Sequence, residues 1–344
     1  RYAGDPEYLP LLADGLARYP DDPMLLYLTG ERWHGAHDDS TGRRYLERAA
    51  AADPSFLEPW FSLVSHYMDQ EDDEKLGQAL RHLLDGDAIQ AEVMEYSYNM
   101  LAGLAKNAIL ITNGDNDTYP GWIYTRLLDF RPDVILVNRS LLNTDWYPAY
   151  LQRHGLPEFI TPDELSVLRR EPRPDFHPAS GPFGDMLIER LVQAATRAAR
   201  PVYLSWTLAP TESLERLWAA GRVLGLVTLV TPPTREYRDD LAPVLEAWLH
   251  DFRTRGLQDW RLRQARPEDA GRRIVTNYAG ALARTQEAIR RHTPEYEDDL
   301  FEWLQQHAIW AVSPEKRDYV IRNWCEESQS EAVQAWCSSQ GYKQ

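Results

Sequence analysis

Cysteine is almost missing from this chain: Cys325 and Cys337 are the only two in 344 residues. Their setting, NWCEESQSEAVQAWCSSQG, offers no metal-ligand spacing and no redox Cys-x-x-Cys. Positive charge is short as well. Lys and Arg number 37 against 53 Asp and Glu, a formal net charge of −16. Nucleic-acid binding and docking on an anionic membrane are therefore disfavoured, because both need a basic surface. An acidic chain stays soluble and could attract cations or a basic partner. No apolar run approaches the roughly 20 residues of a membrane span, and the longest, VLGLVTLV at 223–230, is strand-sized. No signal peptide is visible. The chain starts at Arg1 rather than Met, so the N-terminus is expected to be processed or trimmed, with any targeting segment lost. Also missing are a Walker loop, a Gly-x-Ser-x-Gly elbow, a His-Glu-x-x-His pair and a dinucleotide glycine fingerprint. Nucleotide-dependent and serine-hydrolase mechanisms have no support.

What is present is apolar material in quantity. Hydrophobic residues make up 43% and aromatics 11%, with 12 tryptophans, enough for large cores. The length suits two or three domains. Residues 1–104 read as helical throughout, with a repeat signal close to the 34-residue tetratricopeptide template. Gly30, Trp33, Gly42, Leu46, Ala49 and Pro54 fall on its small, aromatic, apolar and proline positions. Trp60, Leu63, Tyr67 and Leu80 follow at the same offsets. Each helical pair of such an array leaves an apolar face that a neighbour must cover.

The pattern changes near residue 105. NAILITN (107–113), DVILVNRSLL (133–142), PVYLSWTLA (201–209) and LGLVTLVTP (224–232) read as strands. GWIYTRLLDF (121–130), GDMLIERLVQAATRAAR (184–200) and TESLERLWAAG (211–221) read as helices. Such alternation predicts crossover connections and a parallel sheet with both faces covered. The expected fold class is α/β, a Rossmann-like parallel sheet over 105–235. It is flanked by the helical repeats of 1–104 and a helical region at 236–344. A Pro- and Gly-rich insert at 147–183 lies beside the sheet edge, as a lid or a tethered surface loop.

Residues 109–151, ILITNGDNDTYPGWIYTRLLDFRPDVILVNRSLLNTDWYPAYL, resemble the soluble C-terminal region of bacterial multipass membrane proteins of the protein O-mannosyltransferase-like glycosyltransferase group. That region carries a Thr-Asn-Gly-Asp-Asn-Asp-Thr stretch, here Thr112 to Thr118. It also carries an Arg-x-Asp-Val strand, here Arg131 to Val134, and a Leu-Leu-Asn-Thr-x-Trp-Tyr stretch, here Leu141 to Tyr147. RPVYLSWTLAP, GRVLGLVTLVTP and NYAGALA look like its later strands and helix, so the likeness spans roughly 105–285. The resemblance implies an α/β module that faces the extracytoplasmic side, joined in some relatives to tetratricopeptide repeats. The family's membrane part, which carries the transferase chemistry, has no counterpart in these residues. The activity is therefore not implied.

Ligands of open parallel sheets sit beyond the carboxyl ends of the strands. Polar groups gather at three such ends: Asn113, Asp115, Asn116, Asp117 and Thr118; then Asn138, Arg139, Ser140, Asn143, Thr144 and Asp145; then Ser205 and Thr207. Trp122, Trp146 and Trp206 lie nearby in sequence. Carboxylates, amides and indoles together suit a saccharide or a hard divalent cation, with Asp115 and Asp117 as the metal ligands. Asp and Asn equally cap helices and tolerate left-handed turns, and a helix begins just after Thr118. Gly114 is expected to supply a backbone angle that other residues resist. A crevice filled by Tyr119 and Trp146 would mark a scaffold; an open acidic pocket would mark an enzyme. His34-x-x-His37-Asp38-Asp39 could ligate a metal but reads better as a solvated loop, and HTPEYEDD at 292–299 as an acidic helix start.

The leading expectation is a non-catalytic binding or scaffold protein, without a cofactor, whose repeats meet a protein or peptide or assemble with further copies. The rival is a carbohydrate-active or divalent-metal-dependent enzyme working through Asn113–Thr118. Cys325 and Cys337 are expected to pair across a helical hairpin, which suits a periplasmic or extracellular setting. Two free thiols would suit the cytoplasm.

Overall fold

A computed structural model of the chain describes residues 7–34, 39–170, 183–266 and 268–342, with His34 and Asp39 described by their backbone alone. Contacts divide it into two compact units. The first runs to Ile89 and includes Arg126–Leu128; the second holds Gln90–Thr125 and the chain from Asp129 on.

The first unit is built of α1 (Tyr8–Arg18), α2 (Pro23–His34), α3 (Asp39–Ala52), α4 (Glu58–Asp69) and α5 (Asp73–Asp85). Each helix packs on the next. Their apolar faces meet through Leu26, Leu46, Leu63 and Leu80, all fully buried. Gly30 of α2 faces Leu46 and Gly42 of α3 so closely that an added Cβ would sit 2.7 Å from Leu46 Cγ. Asp72 starts α5 by accepting the Lys75 N–H at 3.0 Å, which satisfies one of the donors a helix start leaves bare.

The second unit opens with α6 (Ala91–Ala102), followed by β1 (Ile109–Thr112), α7 (Asp115–Trp122), β2 (Ile135–Asn138), α8 (Tyr147–Arg153), α9 (Pro162–Arg170) and α10 (Phe183–Arg197). Then come β3 (Val202–Ser205), α11 (Glu212–Ala220), β4 (Arg222–Leu224), β5 (Val227–Leu229) and α12 (Tyr237–His250). Helices α13 (Trp260–Gln264), α14 (Ala270–His292), α15 (Glu297–His307), α16 (Pro314–Glu327) and α17 (Glu331–Ser339) complete it. Helix α14 has buried residues at helical spacing, Ile274, Val275, Tyr278, Ala281, Leu282, Thr285 and Ile289. It packs on α6, α12, α15, α16 and β4. Cys325 of α16 and Cys337 of α17 are joined as a disulfide. No helix among the described residues is long and apolar enough to cross a membrane.

The fold is mostly helical, which corrects the expected Rossmann-like α/β class. The described residues form 17 α-helices against five strands of three or four residues. The sheet order is β2-β1-β3-β5-β4, and only β2, β1 and β3 run parallel. Strand β5 is antiparallel to β3 and to β4. The run expected to be one strand at 224–232 breaks because Gly225 adopts a left-handed backbone, φ +66°. Leu224 then pairs with Val227 across a two-residue turn, the geometry that tight hairpins favour. Strands β1, β2 and β3 are four residues long and end on the polar residues Thr112, Asn138 and Ser205. The insert at 147–183 contributes α8 and α9, and its remainder, 171–182, lies outside the described residues.

One side chain sets the entry to the sheet. Arg131 donates to the carbonyls of Leu101, Leu104 and Ala105, each at 2.8 Å. It also pairs with both carboxylate oxygens of Asp133 at 2.9 Å, and Asp133 accepts the Asn107 N–H at 2.9 Å. The end of α6, the start of β1 and the approach to β2 are thereby fixed together. Arg131 itself is held at φ +54°, a conformation that costs energy for any residue with a Cβ.

Candidate functional site

The turn after β1 is organised by one carboxylate. Asp117, 3% exposed, accepts the N–H groups of Asn113 at 2.8 Å and Gly114 at 2.9 Å, and the Thr207 hydroxyl from beyond β3. The carboxylate thus satisfies backbone donors at the start of α7, where the helix dipole also favours negative charge. Thr207 stays in place through Ser205, whose Oγ accepts the Thr207 N–H at 3.1 Å and shares a further bond with its hydroxyl. Since the Thr207 proton points to Asp117, Ser205 is the donor in that second bond. Burial pushes the Asp117 carboxyl above the usual carboxylate range, and its hydrogen bonds pull it back only in part.

Behind this turn, Thr118 and Asn138 tie β1 to β2. The hydroxyls of Thr112 and Thr118 lie 2.6 Å apart, and Asn138 Nδ2 donates to Thr118 at 3.2 Å. Beside it, Arg139 and Asp185 form a buried two-bond ion pair at 2.6 and 2.8 Å. Thr211 adds a bond to Asp185 at 2.7 Å, so this charge pair is matched by further hydrogen bonds.

In front of the turn is an open cavity of about 260 Å³, lined by Asn113, Gly114, Asp115, Asn116, Asp117, Trp206 and Thr207 on one side. Ala270, Arg273, Ile274 and Asn277 of α14 line the other. Asp115, Asn116 and Arg273 are exposed at it. Trp206 has two neighbours on α14. An added Cβ at Gly280 would lie 3.0 Å from the indole, and the Arg284 guanidinium is 5.5 Å from its ring centroid, within cation–π range.

The structure sorts the sequence candidates. Asn113, Asp115, Asn116 and Asp117 come together in the cavity. Thr118 and Ser205 support it from behind. Asn143 is taken up in its own turn, bonding the Ser140 carbonyl at 3.0 Å and accepting the Gly184 N–H at 2.9 Å. Asp145 pairs with Arg169 at 2.7 Å and lines a separate cavity with α8 and α9. Trp146 packs edge-on against Tyr147 and Tyr150, at 5.2 and 5.8 Å, and Tyr119 packs on Trp122. Neither lines the strand-end cavity. Gly114 has φ −170°, an extended value, and a Cβ there would meet nothing within 4 Å. Its expected conformational role is therefore corrected: the turn depends on the Asp117 carboxylate. Among the described residues, no group of three or more His, Cys, Asp or Glu could hold a metal ion. His37 and Asp38 lie outside the described residues.

Sequence reasoning missed the α14 wall, which arrives from more than 150 residues away. One signal was available: Asn277 opens the NYAGALA stretch, whose place in the resemblance puts it in the same module as the loop.

Residues 93–156 match the family model of the TMEM260-associated domain 2. No curated protein matches the chain. The matched stretch runs from α6 to just past α8. It carries the Asn113–Thr118 loop and not the α14 wall.

Proposed function

We propose that this chain is a non-catalytic binding protein whose second unit takes a saccharide in the strand-end cavity. The observation that carries this reading is the cavity itself. It joins carboxylates, amides, an indole and a guanidinium, the groups that hydroxyls and a sugar's apolar face require. Within it Asp117 is committed to Asn113, Gly114 and Thr207, which favours a structural role over proton transfer. The match at 93–156, which hints at the O-mannosyltransferase family, supports a link to glycans. The first unit acts as a tetratricopeptide-like array that meets a protein or peptide, or further copies. The disulfide supports an oxidising, extracytoplasmic setting.

The open, acidic character of the cavity favours a second reading, a carbohydrate-active or divalent-metal-dependent enzyme using the same loop. One experiment separates the two. Purified protein is titrated with a panel of methyl glycosides and assayed for turnover of a lipid-linked sugar, with and without Mn²⁺. Sugar binding with no turnover is expected. Turnover abolished by Asp117→Asn would establish the enzyme instead, and failure to bind any sugar would refute the saccharide reading.

A further inference from the structure

Two carboxylates, Asp115 and Asp117, share this cavity with one guanidinium, that of Arg273. A phosphate or a sugar acid entering it would bring a third negative charge into a space that already holds two. Hydroxyl groups have no such conflict. Each can donate to a carboxylate and accept from a guanidinium or an amide, and Asp115, Asn116, Asn277 and Arg273 offer both kinds of partner. Size sets the extent of the ligand. At about 260 Å³ the space falls below the ~300 Å³ at which pockets for drug-sized ligands begin. It holds a single ring, and the rest of a larger ligand would lie outside it in solvent. Trp206, in contact with Gly280 and within cation–π range of Arg284, brings an indole to the cavity wall, a group that suits the apolar face of a pyranose.

The sequence Asp115-x-Asp117 invites comparison with carboxylate pairs that hold a divalent ion against a nucleotide diphosphate. The geometry argues otherwise here. Asp117 accepts three protein donors, two of them backbone, and no third acidic or imidazole ligand joins the pair among the described residues.

Resting on the saccharide reading above, we propose that the cavity seats one neutral pyranose ring of a completed glycan and rejects sugar acids, sugar phosphates and nucleotide diphosphates. Asp115 and Arg273 are its specificity-determining residues.

Isothermal titration of the full chain tests this. The probes are the methyl glycosides of glucose, galactose, mannose and N-acetylglucosamine, the matching uronates and 1-phosphates, and uridine and guanosine diphosphates with and without Mn²⁺. At least one neutral glycoside binds, and its charged counterpart binds about tenfold more weakly. Asp115→Asn, at an exposed position, keeps the unfolding midpoint and narrows that gap. Arg273→Gln, also exposed, weakens the neutral sugar by about tenfold, the scale of a hydrogen bond to a charged group. A uronate or phosphate that binds as tightly as its neutral parent overturns the proposal and leaves the saccharide reading standing. So does a Mn²⁺-dependent diphosphate complex lost in Asp117→Asn, or an Arg273→Gln protein with unchanged affinity. If no sugar of any charge binds, the saccharide reading and this proposal fall together.

Discussion

Replacing Asp117 with Ala deletes the acceptor for three donors at once: Asn113 N–H, Gly114 N–H and the Thr207 hydroxyl. Each such bond contributes about 0.5–1.5 kcal/mol. Burying the carboxyl opposes this, as its raised pKa shows, and the open cavity lets water reach Asn113 and Gly114. The expected net loss is about 1–3 kcal/mol. Asp117→Asn keeps the shape but turns an NH₂ toward one of the N–H donors, and loses about 1–2 kcal/mol. The pH dependence has a defined sign. A carboxyl whose folded pKa lies above its unfolded value contributes fully below the unfolded value, and that contribution fades as pH rises through the folded one. The margin of wild type over Asp117→Asn therefore narrows as pH climbs above about 4. Urea unfolding of both variants and wild type at several pH values, with and without Ca²⁺, Mg²⁺ or Mn²⁺, measures all of this. A variant as stable as wild type refutes the reasoning. So does a wild type that gains stability from a divalent ion when the variants do not, since the loop would then be a metal site.

Asp133 should behave in the opposite sense. Its bonds with Arg131 hold the carboxyl down at about 2, so the stability it contributes is present above the unfolded value near 4 and is lost as pH falls through 2. Allowing for solvent screening of this partly exposed group, Asp133→Asn costs about 1–2 kcal/mol at pH 6 and nearly nothing at pH 2 by urea unfolding. Gly225→Ala places a Cβ 2.7 Å from the Trp248 ring at a left-handed position and loses about 2 kcal/mol or more. Gly114→Ala stays within about 1 kcal/mol of wild type; equal effects in thermal unfolding would contradict the turn geometry. Reducing the Cys325–Cys337 bond, which spans 12 positions, lowers stability by about 3 kcal/mol. Thiol titration of the denatured, unreduced protein should find no free thiol.

Local signals carried the helices at 184–200 and 211–221 and the places where the sheet's strands begin. They did not carry α8 and α9 within the insert, nor the start of α7 at Asp115 rather than after Thr118. Ile109–Thr112, Ile135–Asn138 and Val202–Ser205 all lie inside runs of apolar, β-branched residues, where such a pattern is informative. The extent of those runs misled. VLGLVTLV contains a glycine that reads as one small residue in an apolar strand, yet the backbone uses it to reverse direction. That reversal converts an expected parallel strand into an antiparallel hairpin. The candidate loop was legible because Asn113–Thr118 is unusual in composition. The reason offered for Gly114 was wrong, because only the fold shows that Asp117 reaches back to the turn. Arg273 and Asn277 were illegible for a different reason. On α14 they look like any polar face of an amphipathic helix, and only tertiary packing brings them to the loop.

The two walls of the cavity are written far apart in the chain. One joins the loop after β1, within the stretch that matches a family model, to Trp206 and Thr207 beyond β3; the other lies on the first turns of α14, and both of these later pieces fall outside the match. A lineage can keep the carboxylate loop intact as an anchor and vary the helix positions at 273 and 277 to alter which ligand is preferred. Recognition is set from both walls, and transferring it between proteins would mean exchanging residue 115 of the loop together with residue 273 of α14.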